Sequence, residues 1–250
     1  MCLIAWNWQP ESDTPLLLLG NRDEFYARPT QALHWWDGGK VLAGKDLEAG
    51  GTWLGVGPGG RLAALTNYRL PALDPRPKPS RGALTTGFLQ GDMDARSYLD
   101  ALAAQADQYN PFNLLLWDGH ALLGLESRHK RVLTLEPGIG AVSNADFGTP
   151  WPKLQRLTTG LHQRCVDGRT SVDDLLPLLQ DPQQAQEDAL PRTGVSLELE
   201  RTLSATFVAS PSYGTRASSI VLLRRERAYF FEQSYGEHGK LGAAQQFSTP

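Results

Sequence analysis

The sequence predicts an α+β fold in which two mainly antiparallel sheets stack, with helices on the outside. Two observations carry this prediction. Short apolar runs occur in pairs joined by turn-forming residues, which indicates hairpins and therefore antiparallel strands. The helical patterns lie between those pairs, and four hairpins are too many for one small sheet. The 250 residues are enough to bury such a core, and we expect residues 1–250 to form a single domain.

Four hairpins are predicted along the chain, and each joins two apolar runs across a short polar segment. They pair residues 2–8 with 15–20, 52–57 with 61–67, 112–117 with 121–126, and 219–223 with 228–232. A further strand is predicted at 204–209. The second and third pairs are separated by segments rich in glycine and proline, which favour tight turns.

Four helices are predicted from apolar residues spaced three and four apart and from capping residues. Asp94 is a suitable N-cap for a helix at 94–109, and a second helix covers 153–165. Ser171 opens a short helix toward Leu179 with a pattern close to a capping box. Ser80 is expected to cap a helix that runs to Leu89.

Composition excludes several classes of function. The chain has 24 Lys and Arg against 27 Asp and Glu, a net charge of −3, whereas nucleic-acid binding needs a basic excess. The longest aliphatic run, 16–19, is far shorter than the ~20 residues of a membrane span, and Glu11 and Asp13 interrupt any signal peptide. Because the chain has only two cysteines, it has no disulfide framework, and we expect a cytoplasmic protein. We also expect it to bind no nucleic acid and to have no membrane span.

No sequence motif supports a metal or nucleotide site. The five histidines are widely scattered, so we expect no metal centre. Residues 55–60 match G-x-G-x-x-G, but a strand follows where dinucleotide binding needs a helix. Residues 39–45 resemble a P-loop, but Asp46 replaces the hydroxyl residue that would bind Mg²⁺.

Cys2 is the sharpest chemical feature of the sequence. Methionine ahead of a small second residue is normally removed, so Cys2 would begin the mature chain. An N-terminal cysteine combines a thiol nucleophile with an α-amine of pKa ~7.7–8.0 that can take the thiol proton. Taken alone, Cys2 is better explained as an ordinary small residue at the start of a strand. Cys165 falls on the apolar stripe of its helix, and we interpret it as a buried structural thiol.

The charged segment Asn21-Arg22-Asp23-Glu24 directly follows the second predicted strand. If the first two strands form a hairpin, this segment lies near Cys2. Arg22 would then lower the pKa of the thiol, and Asp23 would hold the α-amine. The alternative is a solvated loop with internal salt bridges, and the residues alone do not decide between the two.

Several further segments complete a pattern that covers nearly the whole chain. They are 1–4, 21–29, 50–55, 65–69, 80–82, 110–114, 143–145, 150–153 and 213–216. With these, the sequence resembles the NRDE family, also called the transport and Golgi organization protein 2 family, and the tetrapeptide at 21–24 that names it is intact. The resemblance implies a fold like that of N-terminal-nucleophile hydrolases, a four-layer αββα sandwich.

The resemblance also implies a site similar to that of the choloylglycine hydrolase and penicillin V acylase group. The corresponding catalytic residues here are Cys2, Arg22, Asp23, Asn67, Asn144 and Arg216. Asn67 and Asn144 have amides that can stabilise an oxyanion, and Arg216 can hold a carboxylate or support the thiolate. In that group three positions separate the Arg from the Asp, whereas Arg22 and Asp23 are adjacent and point to opposite faces of a strand.

Two functions follow from this resemblance. The first is hydrolysis of an amide or thioester bond of a small apolar acyl substrate, with no cofactor required. The second is non-catalytic binding and trafficking of haem, lipid or acyl-CoA, in which Cys2 or a histidine would bind iron. Either function predicts an apolar or amphipathic small-molecule ligand. Tryptophans such as Trp53 and Trp151 would suit it, although such residues more often pack in the core.

Overall fold

The computed structural model describes residues 2–36, 38–72, 76–225 and 227–249, and this part of the chain forms thirteen strands and five α-helices. The strands are β1 Cys2–Trp8, β2 Leu16–Phe25, β3 Thr30–Trp35, β4 Leu42–Asp46, β5 Leu54–Val56, β6 Leu62–Asn67, β7 Phe112–Trp117, β8 Leu122–Glu126, β9 Arg131–Thr134, β10 Gly138–Val142, β11 Tyr213–Leu223, β12 Ala228–Tyr235 and β13 Leu241–Ser248. The helices are α1 Gly82–Gln90, α2 Ala95–Ala104, α3 Pro152–Val166, α4 Val172–Leu179 and α5 Leu197–Thr202.

The strands form two antiparallel sheets. Sheet A has the order β10-β1-β2-β11-β12-β13, and sheet B has the order β3-β4-β5-β6-β7-β8-β9. Sheet B follows the chain, whereas sheet A combines the first two strands with the last three. The first strand of the chain is therefore an interior strand, paired with β10 on one side and with β2 on the other.

The two sheets and the helices form four layers, which confirms the predicted αββα sandwich. An apolar cluster that includes Ile4, Trp6, Leu18 and Phe230 fills the space between the sheets. A second cluster joins α1 and α2 to sheet B, and a third joins α3 and α4 to sheet A. Because β1 and β2 are covered on both faces, they read in the sequence as nearly continuous apolar runs.

The four predicted hairpins are confirmed, and so are two of the caps. Asp94 accepts a hydrogen bond from the backbone N–H of Ser97 at 2.8 Å, and Ser171 accepts one from that of Asp174 at 3.3 Å. Both contacts satisfy N–H groups that a helix start otherwise leaves unpaired. Strands β2 and β11 are longer than predicted because their polar residues continue the ladder.

Four details of the sequence prediction are wrong. Residues 204–209 are not a strand, because Phe207 N–H binds the Asp181 carbonyl and Val208 N–H binds the Thr215 hydroxyl. The second helix ends at Ala104 and is followed by a single 3₁₀ turn. The first helix is preceded by Arg81, so Ser80 is not its N-cap. Cys165 is half-buried rather than buried, and its sulfur accepts a bond from Asn7 at 3.4 Å.

Candidate active site

A cavity of about 480 Å³ opens beside the start of β1. Its walls come from both sheets and from the segment that leads into α1. Five of the six residues expected at a catalytic site line it, namely Cys2, Arg22, Asp23, Asn67 and Arg216. Asn144 does not line it. Most of the other lining residues are polar or charged, and Trp53 is the tryptophan that contributes to the wall.

Cys2 is held by its pairing with β2 on one side and by a side-chain hydrogen bond from Ser143 on the other. It lies opposite Arg22 in the pairing of β1 with β2, so the two side chains emerge on the same face. Its carbonyl accepts a bond from the Ser143 hydroxyl at 3.0 Å. Burial raises the pKa of the Cys2 thiol to about 11, and the positive charges of the chain's α-amino group and of Arg22 offset part of this rise. The thiol is consequently protonated near neutral pH, and its use as a nucleophile requires a base.

The tetrapeptide at 21–24 lies within β2 and alternates between the two faces of sheet A. Arg22 faces the cavity, where it binds the Thr30 hydroxyl at 3.3 Å and the Asp46 carboxylate at 3.4 Å. Asn21 faces the helices and donates to the carbonyls of Leu179 and Thr206, each at 2.8 Å. Because residues 21–23 are buried, the solvated-loop interpretation of this segment is wrong.

Asp23 shares the helix side of β2 with Asn21, and it also borders the cavity. Its Oδ1 accepts a hydrogen bond from the Thr215 hydroxyl at 2.8 Å. Burial raises the pKa of Asp23, while the positive charges of Lys153 and of the chain's α-amino group oppose this rise. The carboxyl group is therefore within electrostatic reach of the chain start, although its side chain emerges on the face opposite to that of Arg22.

The two asparagines occupy successive positions in one chain of contacts. The amide of Asn144 donates to the carbonyl of Asn67 at 2.7 Å, and the hydroxyl of Ser143 donates to the side-chain oxygen of Asn144 at 3.1 Å. Asn67 is the member of this chain that reaches the cavity. Asn144 thus anchors the backbone of Asn67, and of these two asparagines it is Asn67 that lines the cavity.

Arg216 lines the cavity from an irregular position in β11, where the register with β2 shifts between Thr215 and Ala217. Its guanidinium donates to the carbonyls of Phe25, Tyr26 and Arg28 at 2.9–3.1 Å. These contacts fasten the turn that follows β2. Because carbonyl oxygens carry no net charge, the positive charge of Arg216 remains available to the cavity.

Three further residues belong to the site although they were not expected there. Arg81 lines the cavity. Burial lowers the pKa of Arg81, and the negative charge of the Cys2 thiolate opposes this fall. Lys153 is buried near Asp23, and Glu232 is a buried carboxyl in the cavity wall. Arg81 and Lys153 lie in segments that carried the family resemblance, which was the available signal. Glu232 had none beyond its place on the inward face of a predicted strand.

The described part of this site contains neither a cluster of metal-binding side chains nor a histidine. No group of three His, Cys, Asp or Glu side chains within the described ranges is arranged to hold a metal ion. The described lining residues include no histidine, and Cys2 is the one residue among them that could bind iron through sulfur.

In the part of the chain that the structure describes, no helix has the length and apolar character needed to cross a bilayer.

Comparison with solved structures identifies the type of fold. The conjugated bile acid hydrolase of Clostridium perfringens, in a mutant form, superposes with a TM-score of 0.54 over 99% of this chain and 92% of that chain, at 10% identity. A second variant of that hydrolase superposes with a TM-score of 0.52. At this level of identity the likeness shows the fold alone, which is that of the N-terminal-nucleophile hydrolases.

Comparison of sequences identifies the family. The family model described as "Transport and Golgi organisation 2" matches residues 1–237. The Transport and Golgi organization protein 2 homologs of Bos taurus and Homo sapiens are 37% and 35% identical, and each alignment covers 89% of this chain and 88% of the relative. The Drosophila melanogaster protein of that name is 28% identical over the whole chain. The chain belongs to the transport and Golgi organisation 2 family.

Proposed function

We propose that the protein is a cysteine hydrolase that cleaves an amide or thioester bond of a small acyl substrate after Met1 has been removed. The observation that carries this proposal is the position of Cys2, which an interior strand fixes opposite Arg22 at the wall of a cavity. A thiol held this rigidly beside a cation and an amide donor is suited to attack a carbonyl. Met1 itself lies outside the described residues.

The proposed reaction uses the α-amine of mature Cys2 as its base. The amine takes the thiol proton while the sulfur bonds to the carbonyl carbon, and Asn67 donates to the oxyanion that forms. The amine then returns the proton to the leaving nitrogen or sulfur, and the C–N or C–S bond breaks to leave a thioester on Cys2. Water, deprotonated by the same amine, attacks this thioester and releases the carboxylic acid and the free thiol.

The lining of the cavity favours a substrate that carries a negative charge beside its acyl group. The hydrogen bonds of Arg81 and Arg216 go to backbone carbonyls, Arg81 to that of Pro111 at 3.2 Å. Neither contact neutralises a charge. By contrast, Arg28 is paired with Asp46 at 2.7 Å. A carboxylate, sulfonate or phosphate group on the substrate would be attracted to the two arginines.

The test combines intact-mass analysis with a substrate panel. We expect purified protein to lack Met1 and to be alkylated at Cys2. It should hydrolyse at least one of a set of N-acyl amides and acyl thioesters, tested with and without an anionic group. Cys2→Ala should reduce turnover to background, and Cys165→Ala, remote from the cavity, should leave it unchanged. Retention of Met1 on active protein, or turnover that survives Cys2→Ala, would contradict the proposal.

The second candidate function is carriage of an anionic apolar ligand, which Arg81 and Arg216 in the cavity wall also favour. In that case Cys2→Ala would bind a long-chain acyl carboxylate as tightly as the wild type in calorimetry, and the wild type would not turn over any member of the panel. For haem, Cys2 is the available ligand among the described lining residues, so the Soret shift on titration with haemin should be lost in Cys2→Ala.

A further inference from the structure

Four charged side chains are buried together on the helix side of sheet A, beside the start of β1. We call Asp23, Arg69, Lys153 and Glu200 the buried charge cluster. Arg69 and Glu200 form an ion pair at 2.8 Å. Lys153, from the first turn of α3, is 1% exposed. Lys153 Nζ and the Arg69 guanidinium lie 6.0 and 4.6 Å from the centroid of the same ring, that of Trp151. The charge of Lys153 opposes the rise that burial causes in the pKa of Asp23.

The cluster and the chain start act on each other electrostatically. The positive charge of the α-amino group, which belongs to Met1 before processing, opposes the rise in the pKa of Asp23, and the charge of the Cys2 thiolate opposes the fall in the pKa of Lys153. Cys2, Asp23 and Lys153 are therefore coupled, although the cavity accounts for only the first two. The mechanism proposed above gives Lys153 no role.

The burial of a charged lysine at position 153 lowers the stability of the fold, which suggests that its charge has a function. Burial of an ammonium group in a protein interior is unfavourable, and here it lowers the pKa of Lys153 to about 8. The same face of α3 carries Leu154, Leu157 and Leu161, which pack against sheet A without any such cost. A methionine at 153 opposite an asparagine at 23 would fill the same volume with no buried charge.

We propose that Lys153 is a positioning residue for Cys2, in which Asp23 holds the α-amino group exposed by loss of Met1 and Lys153 keeps that amine in its neutral, proton-accepting form. This inference rests on the proposed hydrolase function. An ionised Asp23 alone would stabilise the protonated amine and raise its pKa above the ordinary ~7.7–8.0, which would block its use as a base at neutral pH. The positive charge of Lys153 opposes that effect.

The sign of the effect is the same for the amine and for the thiol. Removal of a nearby positive charge destabilises a thiolate and stabilises an ammonium, so the pKa of each group rises when Lys153 is replaced by a neutral residue. The other charged or titratable groups around Cys2 are Arg22 and Glu24 from β2, Arg69 after β6, Arg81 before α1 and Tyr213 from β11. All of these stay unchanged in the variants below.

The experiment measures the rate of Cys2 alkylation by iodoacetamide from pH 5 to pH 10 in a Cys165→Ala background. Lys153→Met should slow alkylation about tenfold at and below pH 7, where Lys153 carries its charge, and the difference should shrink above pH 8, where it does not. Lys153→Arg keeps the charge and should restore the wild-type profile. A structural role alone would change thermal stability without this pH-dependent loss of rate, and a Lys153→Met profile that coincides with the wild type would overturn the inference.

A second comparison keeps the test decisive if Lys153→Met does not fold. Asp23→Asn and the double variant Asp23→Asn/Lys153→Met both lack the carboxylate, so their difference isolates the effect of the lysine. The double variant should have the more alkaline profile, and equal profiles would overturn the inference. Condensation of a cyanobenzothiazole with the free 1,2-aminothiol, read by mass, reports separately on Met1. Its absence would refute the hydrolase proposal and this inference together, whereas a reactive Cys2 with equal profiles refutes only the inference.

Discussion

Glu232 on β12 is a buried carboxyl with one identifiable structural partner. The register between β3 and β4 shifts between Gln31 and His34, which takes the Leu33 N–H out of the ladder. Glu232 Oε1 accepts from that N–H at 2.8 Å. On β4, a Cβ atom at Gly44 would lie 3.5 Å from Oε2. The carboxyl group thus accepts from the N–H that the bulge leaves unpaired, and Glu232 also lines the cavity.

Replacement of Glu232 by glutamine should remove a pH dependence of stability. Burial raises the pKa of Glu232 to about 7 from an ordinary value of 4.5, so the folded state binds more protons than the unfolded state between these values. Stability from this group is therefore lost as pH rises from about 4.5 to 7. In urea unfolding, we expect Glu232→Gln to match the wild type at pH 4.5 and to exceed it by about 2–3 kcal/mol at pH 8.

The matched control for this prediction is Glu237→Gln, which neutralises an exposed carboxylate a few residues away. Its unfolding free energy should follow that of the wild type across the whole range. If the Glu232→Gln and wild-type curves run parallel from pH 4.5 to pH 8, burial does not perturb Glu232 in the way described.

At the scale of the element, the segment before α1 depends on a close approach of two backbones. A Cβ atom at Gly51 would lie 2.4 Å from the carbonyl carbon of Gly82 and 2.9 Å from the nitrogen of Ala83. Backbone atoms cannot move aside as a flexible side chain can. Gly51 therefore sets the position of the first turn of α1 and, with it, that of Arg81 at the cavity wall.

Gly51→Ala should consequently destabilise the protein by about 1–3 kcal/mol, since the helix must shift to admit one methyl group. For a chain of this size the melting temperature should fall by roughly 3–10 °C. Gly236→Ala is the control, because the nearest atom to a Cβ there is 3.9 Å away. An unchanged melting temperature in Gly51→Ala would show that α1 can move without cost.

The sequence predicts elements whose signal is local and misses elements whose signal depends on a distant partner. The four hairpins are local, and both of their strands carry apolar runs. In β10 the inward positions are Val142 and Gly140, and the side-chain space at Gly140 is filled by the ring of Trp6, so the strand has little apolar pattern of its own. Strand β13 is exposed and carries small and polar residues. Neither strand can be recognised before its partner is known.

At the scale of the whole molecule, a short polar bridge joins the two sheets beside Cys2. The segment 143–145 follows β10 in sheet A and is held by residues of sheet B. Thr66 donates to the Ser143 carbonyl at 2.5 Å, and Asn113 donates to the Ala145 carbonyl at 2.8 Å. The rest of the interface between the sheets is mainly apolar. The position of the site is thus a property of the packing of the sheets, as well as of β1.

Asn113→Ala should weaken this bridge and lower the unfolding free energy by about 2–3 kcal/mol, because buried carbonyls lose their donor. It should also slow alkylation of Cys2, since Ser143 binds the Cys2 carbonyl. Asn7→Ala is the control, because Asn7 makes one bond to the sulfur of Cys165 at 3.4 Å. Equal losses of stability in the two variants would contradict a special role for the bridge.

The sequence predicted the part of the site that is formed by residues close together in the chain. Cys2, Arg22 and Asp23 could be placed from a local hairpin and from the alternation of a strand, because their neighbours lie close in the sequence. Asn67 and Asn144 lie 77 residues apart, and the hydrogen bond that joins them follows from no local pattern of the sequence. Lys153 and Glu232 are charged residues of a kind that is usually exposed, and only the stacking of layers buries them.

The interior position of β1 constrains the time at which Met1 can be removed during synthesis. Cys2 is bound by Ser143, 141 residues later, and Asp23 is bound by Thr215, 192 residues later. At about 5–20 residues per second, a ribosome needs roughly 10–40 s to make the chain between Asp23 and Thr215. Throughout that interval the chain that binds Cys2 and Asp23 in the folded protein is incomplete. The proposed function requires loss of Met1, and we expect that processing to take place on the nascent chain, before sheet A is complete.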